Sequence, residues 1–204
     1  MDERSRNTLL AIVTVVSLLP LGWLVVDIAL SRLGPNPIRE IQIRTGTYTL
    51  VVLLASIACT PAYTLTGVRA VFGLRRSLGL YAFIYAALHF LNLVAVDYLL
   101  DLKSLWRDIA QKPYIVVGFG AFFILLTLAI TSTSGWKARL GKNWKRLHRL
   151  VYAAGVLAVL HYLWQVKATV PGPFIAGASL GLLLLLRVPA IERLAVKHIP
   201  WRAA

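Results

Sequence analysis

The sequence predicts an all-α polytopic membrane protein, a bundle of six transmembrane helices with both termini in the cytoplasm. Three observations predict it. The 204 residues are 58% hydrophobic and 15% charged, with a mean hydropathy of +0.72, where a soluble domain carries about 25% charged residues. The apolar residues collect into six runs long enough to be read as helical spans. The 22 Lys and Arg are shared unequally between the two sets of loops. Such a composition excludes a disordered chain, a disulfide-stapled secreted fold and an ordinary cytosolic enzyme. Residues 1–204 read as one domain, without internal repeat or low-complexity segment.

Each run is expected to be helical, because backbone groups in lipid must satisfy their own hydrogen bonds. The first covers about residues 8–30. It is longer than the core of a secretory signal and lacks a small-residue cleavage motif, running instead through Trp23 and Asp27 to Ser31-Arg32, so it is a retained span. The second and third cover about 46–65 and 77–98, the fourth 113–133, the fifth 145–166. The sixth, 171–187, is the shortest and contains the unbroken leucine stretch 182–186. Pro35, Pro37 and Pro113 suit turns at span ends.

Six spans leave both termini on one side. Fifteen Lys and Arg fall there: Arg4 and Arg6, then Arg69, Arg75 and Arg76, then Lys137, Arg139, Lys142, Lys145, Arg146 and Arg149, then Arg187, Arg193, Lys197 and Arg202. The other side holds seven, Arg32, Arg39, Arg44, Lys103, Arg107, Lys112 and Lys167, and five of the eight acids. The richer side is the cytoplasm. The net charge of +14 therefore reads as membrane topology and contact with anionic lipid, not as nucleic-acid binding. The single Cys59 excludes an internal disulfide and a multi-cysteine metal site.

Ionisable groups inside spans are costly and mark function. His89 lies thirteen residues past Arg76 and His161 thirteen past His148, on two odd-numbered spans that run in the same direction. Thirteen residues make about 20 Å of helix, so the two imidazoles are expected at one depth, toward the periplasmic half. Two imidazoles facing each other across a bundle suit axial ligation of one haem; the alternative is that each hydrogen-bonds a neighbouring helix. Thirteen residues also turn through about 220° beyond whole turns, so His148 and His161 share no face of a straight helix, and Gly155 is the position at which an irregularity is expected. His148, among Lys145, Arg146 and Arg149, reads on composition as a solvated interfacial residue, as does His198 in the tail. Arg75 and Arg76 suit either positive-inside anchors or partners for a propionate or a flavin phosphate. Tyr81, Tyr85, Phe90, Tyr152, Tyr162 and Trp164 cluster near the histidines and could wall a porphyrin or simply pack. No C-x-x-C-H appears, so any haem is of b type. The stretch 135–142 fails as a phosphate loop, with Asn143 where Ser or Thr is required. No H-E-x-x-H or nucleophile elbow appears.

Ala87-Leu88-His89, Thr131-Ser132-Thr133-Ser134, Trp144-Lys145-Arg146-Leu147-His148-Arg149-Leu150-Val151-Tyr152 and His161-Tyr162-Leu163-Trp164 resemble one family, the haem-binding membrane subunits of bacterial periplasmic methionine-sulfoxide reductase systems (the MsrQ or YedZ family). The wider group is the ferric-reductase-like transmembrane domain, which includes NADPH oxidases and STEAP reductases. The likeness covers essentially the whole chain, including Leu33-Gly34-Pro35-Asn36-Pro37-Ile38 and Ile41-Gln42.

The resemblance implies a b haem, with His89, His148 and His161 at the family's ligand positions, and FMN as a second cofactor. It implies electrons taken from quinol or a cytoplasmic flavin reductase and passed to a soluble periplasmic molybdopterin subunit that reduces methionine sulfoxide in oxidised proteins. It implies the bacterial inner membrane. The oxidases carry two histidines on the third helix, whereas here the cytoplasmic-side equivalent falls at Arg75-Arg76. The chain carries no dehydrogenase domain, so the expected donor is a separate molecule, and the expected role is that of an electron-transfer component whose partner holds the reductase active site. Two other classes compete with this role: a stand-alone transmembrane metalloreductase, and a transporter using the histidines as a proton relay.

Overall fold

The computed structural model describes residues 3–166 and 170–196, and all regular structure among them is helical. Lys167, Lys197, His198 and Arg202 lie outside the described residues. The order is α1 (Glu3–Ala29), α2 (Pro37–Thr66), α3 (Arg69–Leu91) with a π-helical continuation (Asn92–Asp97), α4 (Leu102–Gln111), α5 (Pro113–Ile130), α6 (Ser134–Leu140), α7 (Lys142–Leu147), α8 (Leu150–Gln165), α9 (Gly172–Leu185) and α10 (Pro189–Val196).

Five helical stretches are long and apolar enough to cross a membrane: Arg4–Ala29, Pro37–Thr66, Arg69–Asp97, Pro113–Ile130 and Lys142–Gln165. The expected sixth span differs. It is the 14-residue helix α9, about 21 Å long at 1.5 Å per residue, short of the roughly 30 Å hydrocarbon core. Residues 171 and 186–187 cap it instead of extending it. The α2 helix begins nine residues before the expected 46 because Asn36 caps it: its side chain accepts from the Arg39 amide at 3.0 Å, and Pro37 occupies the first turn. Gly67, at φ 72°, closes α2 with its N–H donating to the Tyr63 carbonyl at 2.8 Å and turns the chain directly into α3.

Many hydroxyls on the helices bond back to their own helix, which suits a lipid surrounding. Hydroxyls of Thr14, Thr45, Thr49, Thr127, Thr131 and Ser132 each donate to the carbonyl four residues earlier. Outward faces carry large apolar side chains, among them Ile12, Val16, Leu19, Trp23, Phe123 and Ile175, the surface that a bilayer covers. The core joins α2, α3, α5, α8 and α9 through Leu53, Ile57, Ala82, Leu125, Ala154 and Leu180. Gly155 is part of this packing: a Cβ there would lie 3.2 Å from Ile57 Cδ1 and 3.3 Å from Leu180 Cδ1. The irregularity expected at Gly155 lies instead at His148 and Arg149, where α7 ends and α8 begins.

The α1 helix is tied on by polar contacts. Arg44 pairs with the buried Asp27 at 2.6 Å and with Glu40 at 2.8 Å. Tyr81 donates to Thr14 Oγ1 at 2.8 Å, and the fully buried Tyr85 donates to the Ser17 carbonyl at 2.5 Å.

Candidate functional site

Two helix pairs build the site. The α3 helix lies against α2 and places His89 over it; α8 lies against α5 and places His161 over it. The rings of His89 and His161 meet between the two pairs, centroids 6.1 Å apart and planes at 90°. The equal depth expected from their spacing is found.

Each ring is held by its Nδ1. His89 Nδ1 lies 2.9 Å from the Gln42 carbonyl and His161 Nδ1 2.8 Å from the Tyr114 carbonyl. A carbonyl only accepts, so both Nδ1 atoms carry the proton and both Nε2 atoms present a lone pair. The Gln42 side-chain amide lies 3.1 Å from His89 Nε2 and donates to it; its oxygen accepts from Asn92 Nδ2 at 2.7 Å, which also donates to the Ile38 carbonyl. Thr45 Oγ1 lies 3.4 Å from His89 Nδ1. No third His, Cys, Asp or Glu joins the pair among the described residues.

The aromatic surroundings differ from the expected set. Phe90 stacks on Phe122 at 4.3 Å and meets Phe119 at 5.4 Å; Tyr114 lies 5.8 Å from His161. Tyr81 and Tyr85 serve the α1 contact, Tyr162 packs at Gly172, and Trp164 is exposed. Of the six aromatics that the sequence offered, Phe90 alone joins this cluster.

A second group forms at the other end of the bundle. His148 Nε2 lies 3.2 Å from Thr131 Oγ1, and its ring stacks on Trp144 at 4.0 Å. Trp144 Nε1 donates to the Thr131 carbonyl at 2.8 Å. Arg187, counted from sequence only as a tail charge, turns inward here. It lies over the Tyr152 ring, donates to the Tyr152 hydroxyl, and donates from Nη2 to the Ile57 carbonyl at 2.6 Å. Its Nε is buried without a partner, and no carboxylate pairs with it among the described residues. Arg75, on α3, lies near His148, Cys59 and Arg187. Arg76 makes no side-chain hydrogen bond or ion pair with another described residue. The sequence reasoning missed Gln42, Asn92 and Arg187 as site residues; an Arg directly after an all-leucine stretch was the signal for the last.

The family model for the ferric reductase like transmembrane component matches residues 45–159, a stretch that runs from within α2 to within α8 and ends two residues before His161. A protein of Rhodospirillum rubrum named protein-methionine-sulfoxide reductase heme-binding subunit MsrQ is 45% identical over 95% of this chain and 93% of its own length. The chain belongs to the MsrQ family. Proteins of the same name from Xanthomonas axonopodis pv. citri and Xanthomonas campestris pv. campestris are 45% and 47% identical, over 81% and 76% of this chain and 76% and 72% of theirs. Membership of a transmembrane family agrees with the five apolar spans: this is a multi-pass membrane protein.

Proposed function

We propose that the chain is the haem-b-binding membrane subunit of a methionine-sulfoxide reductase system. In this reading it sits in the bacterial inner membrane with six spans and both termini cytoplasmic. It takes electrons from quinol or a cytoplasmic flavin reductase and delivers them to a periplasmic molybdopterin subunit that repairs oxidised proteins. The single observation that carries the reading is the His89–His161 pair.

The donor set fits the group. His89 and His161, whose rings lie 6.1 Å apart, would hold the haem iron through imidazole nitrogen. Two imidazoles without a third protein ligand among the described residues suit a haem better than a metal ion held by side chains alone. When bound, the haem would supply one-electron transfer, with its potential set by axial ligands and their hydrogen bonds. The protein's part is positional. The Gln42 and Tyr114 carbonyls hold both Nδ1 protons, which fixes the tautomer and makes each Nε2 a better donor to the metal. The Gln42 amide occupies the lone pair on His89 Nε2 that iron would take. Phe90, Phe119 and Phe122 supply an apolar flank.

At the other end, Arg187 and Arg75 suit an anionic group, a propionate or the phosphate of FMN. His148, with Thr131 and Trp144, completes that end. Arg76 follows Arg75 in α3, about 100° further round the helix, and is exposed; it serves as a surface anchor for the same anion or for lipid.

A pyridine haemochrome and flavin assay on the purified full chain tests this. The expected result is b haem bound by the wild type; protein that purifies without haem and conducts ions would return the proton-relay transporter. Reduction of a ferric complex without any protein partner would favour the stand-alone metalloreductase.

A further inference from the structure

His89 and His161 are held by the same device twice. Each Nδ1 donates to a carbonyl 47 positions earlier, Gln42 and Tyr114. Four residues after each carbonyl stands a glycine, Gly46 on α2 and Gly118 on α5, and each ring rests against that bare Cα. A Cβ on Gly46 would lie 3.0 Å from His89 Cε1 and 3.1 Å from Nδ1; on Gly118 it would lie 2.9 Å from His161 Cε1 and 2.7 Å from Nδ1. One shift of 72 positions relates all three members of each device. The same shift superposes Leu78 on Leu150, Ala82 on Ala154, Ala86 on Ala158, Leu88 on Leu160 and Leu91 on Leu163. Ala82 and Ala154 are both 0% exposed. On the opposing helices it superposes Ile43 on Ile115, Leu53 on Leu125 and Leu54 on Leu126. The α2–α3 and α5–α8 pairs thus carry the same carbonyl, glycine and histidine device at one spacing. The match fails at the other end, where Arg76 stands for His148 and Cys59 for Thr131.

We propose that Gly46 and Gly118 are positioning residues: with the Gln42 and Tyr114 carbonyls they form two matched seats that set the angle of each imidazole and keep Nε2 unprotonated. The proposal rests on His89 and His161 being the haem ligands, but the seats exist without the haem. A methyl group on Gly118 falls inside contact distance of the ring nitrogen that makes the bond, so His161 must leave its carbonyl. At Gly46 the intrusion is smaller, and the ring shifts without leaving. Alanine is a better helix former than glycine, so neither loss would come from a weakened helix.

The test compares full-length wild type, G46A, G118A and G120A in detergent. G120A is the control, since a Cβ there meets only Leu157 Cδ1 at 3.5 Å. Haem-free protein is first examined by 15N NMR of the imidazoles. The expected pattern is Nδ1-protonated His89 and His161 in wild type and G120A, lost at His161 alone in G118A. Haem-loaded protein is then examined by low-spin EPR, CO binding to the reduced form and midpoint potential. In G118A we expect CO binding and haem affinity weaker by roughly 10- to 100-fold, the cost of losing a partner behind a metal ligand; in G46A we expect retained haem with altered EPR and potential. An unchanged His161 tautomer in G118A, or wild-type EPR and potential in both G46A and G118A, overturns the seats. If G118A does not accumulate, unchanged EPR and potential in G46A alone overturns them. Wild type without haem contradicts the ligand reading and leaves the NMR arm to decide the seats.

Discussion

His89 on α3 and His161 on α8, with α4 to α7 between them in the chain, bring their rings to 6.1 Å with planes at 90°. Neither ring is there by chance of packing. Each proton on Nδ1 is committed to a backbone carbonyl of a different neighbouring helix, so the two lone pairs available to a ligand lie on the sides away from those carbonyls.

The Gln42 amide donates to one of those lone pairs. Gln42→Leu should therefore leave the haem bound and tighten it by roughly 2- to 10-fold, the worth of one hydrogen bond no longer competed for. Haem titration of the apoprotein measures this; loss of haem binding would show instead that Gln42 supports the ligand.

Asp27 is the buried anchor for Arg44, joining α1 to α2. Asp27→Asn keeps the shape and removes the charge. Leaving Arg44 with Glu40 alone should cost about 1–3 kcal/mol, read as a lowered melting temperature in detergent with haem content per folded protein unchanged.

Arg187 has a buried Nε without a partner beside Tyr152. On the proposed reading, Arg187→Gln should weaken binding of FMN by roughly tenfold or more, the usual worth of a charge-assisted hydrogen bond, and leave binding of riboflavin unchanged. Equal effects on the two flavins would place the phosphate elsewhere.

The 98–112 segment carries a pH-dependent contact outside the spans. Asp108 accepts from Lys112 and from Tyr98, each at 2.5 Å. The Lys112 ammonium, then the Tyr98 hydroxyl, hold the Asp108 carboxyl below the usual carboxylate range. A depressed carboxylate contributes fully above its unfolded value of about 3.9 and loses that contribution as pH falls through its lower folded value. Asp108 in turn raises Lys112, whose share is present below the unfolded lysine value of about 10.4 and lost above it. Amide protection factors across 98–112, with intrinsic exchange divided out at each pH, should be flat from mildly acidic to mildly basic pH and fall at both extremes. Asp108→Asn should remove that dependence.

Much of the fold was readable because lipid leaves the backbone few choices. Five apolar runs became five long helices. The sixth run, 171–187, forms a shorter helix than its hydropathy suggests, because hydropathy counts residues while helix length is set by ends, and Pro171 and Leu186 bound α9. The His89–His161 pairing was readable because helix rise converts sequence spacing into depth. The seats were not: Gly46 and Gly118 look like any glycine in an apolar run, and a carbonyl acceptor has no sequence signal. Arg187 looked like a positive-inside charge, and only its turn toward Tyr152 and the Ile57 carbonyl separates it from one. Gly155 seemed a natural break, yet the tight approach of Ile57 and Leu180 explains it as packing.

The most direct test of the central claim is the Soret spectrum of purified His89→Ala, His161→Ala and His148→Ala variants beside the wild type. The account predicts that the first two each lose the low-spin haem signal to a similar degree, while His148→Ala keeps it. Spectra unchanged in both His89→Ala and His161→Ala would contradict it.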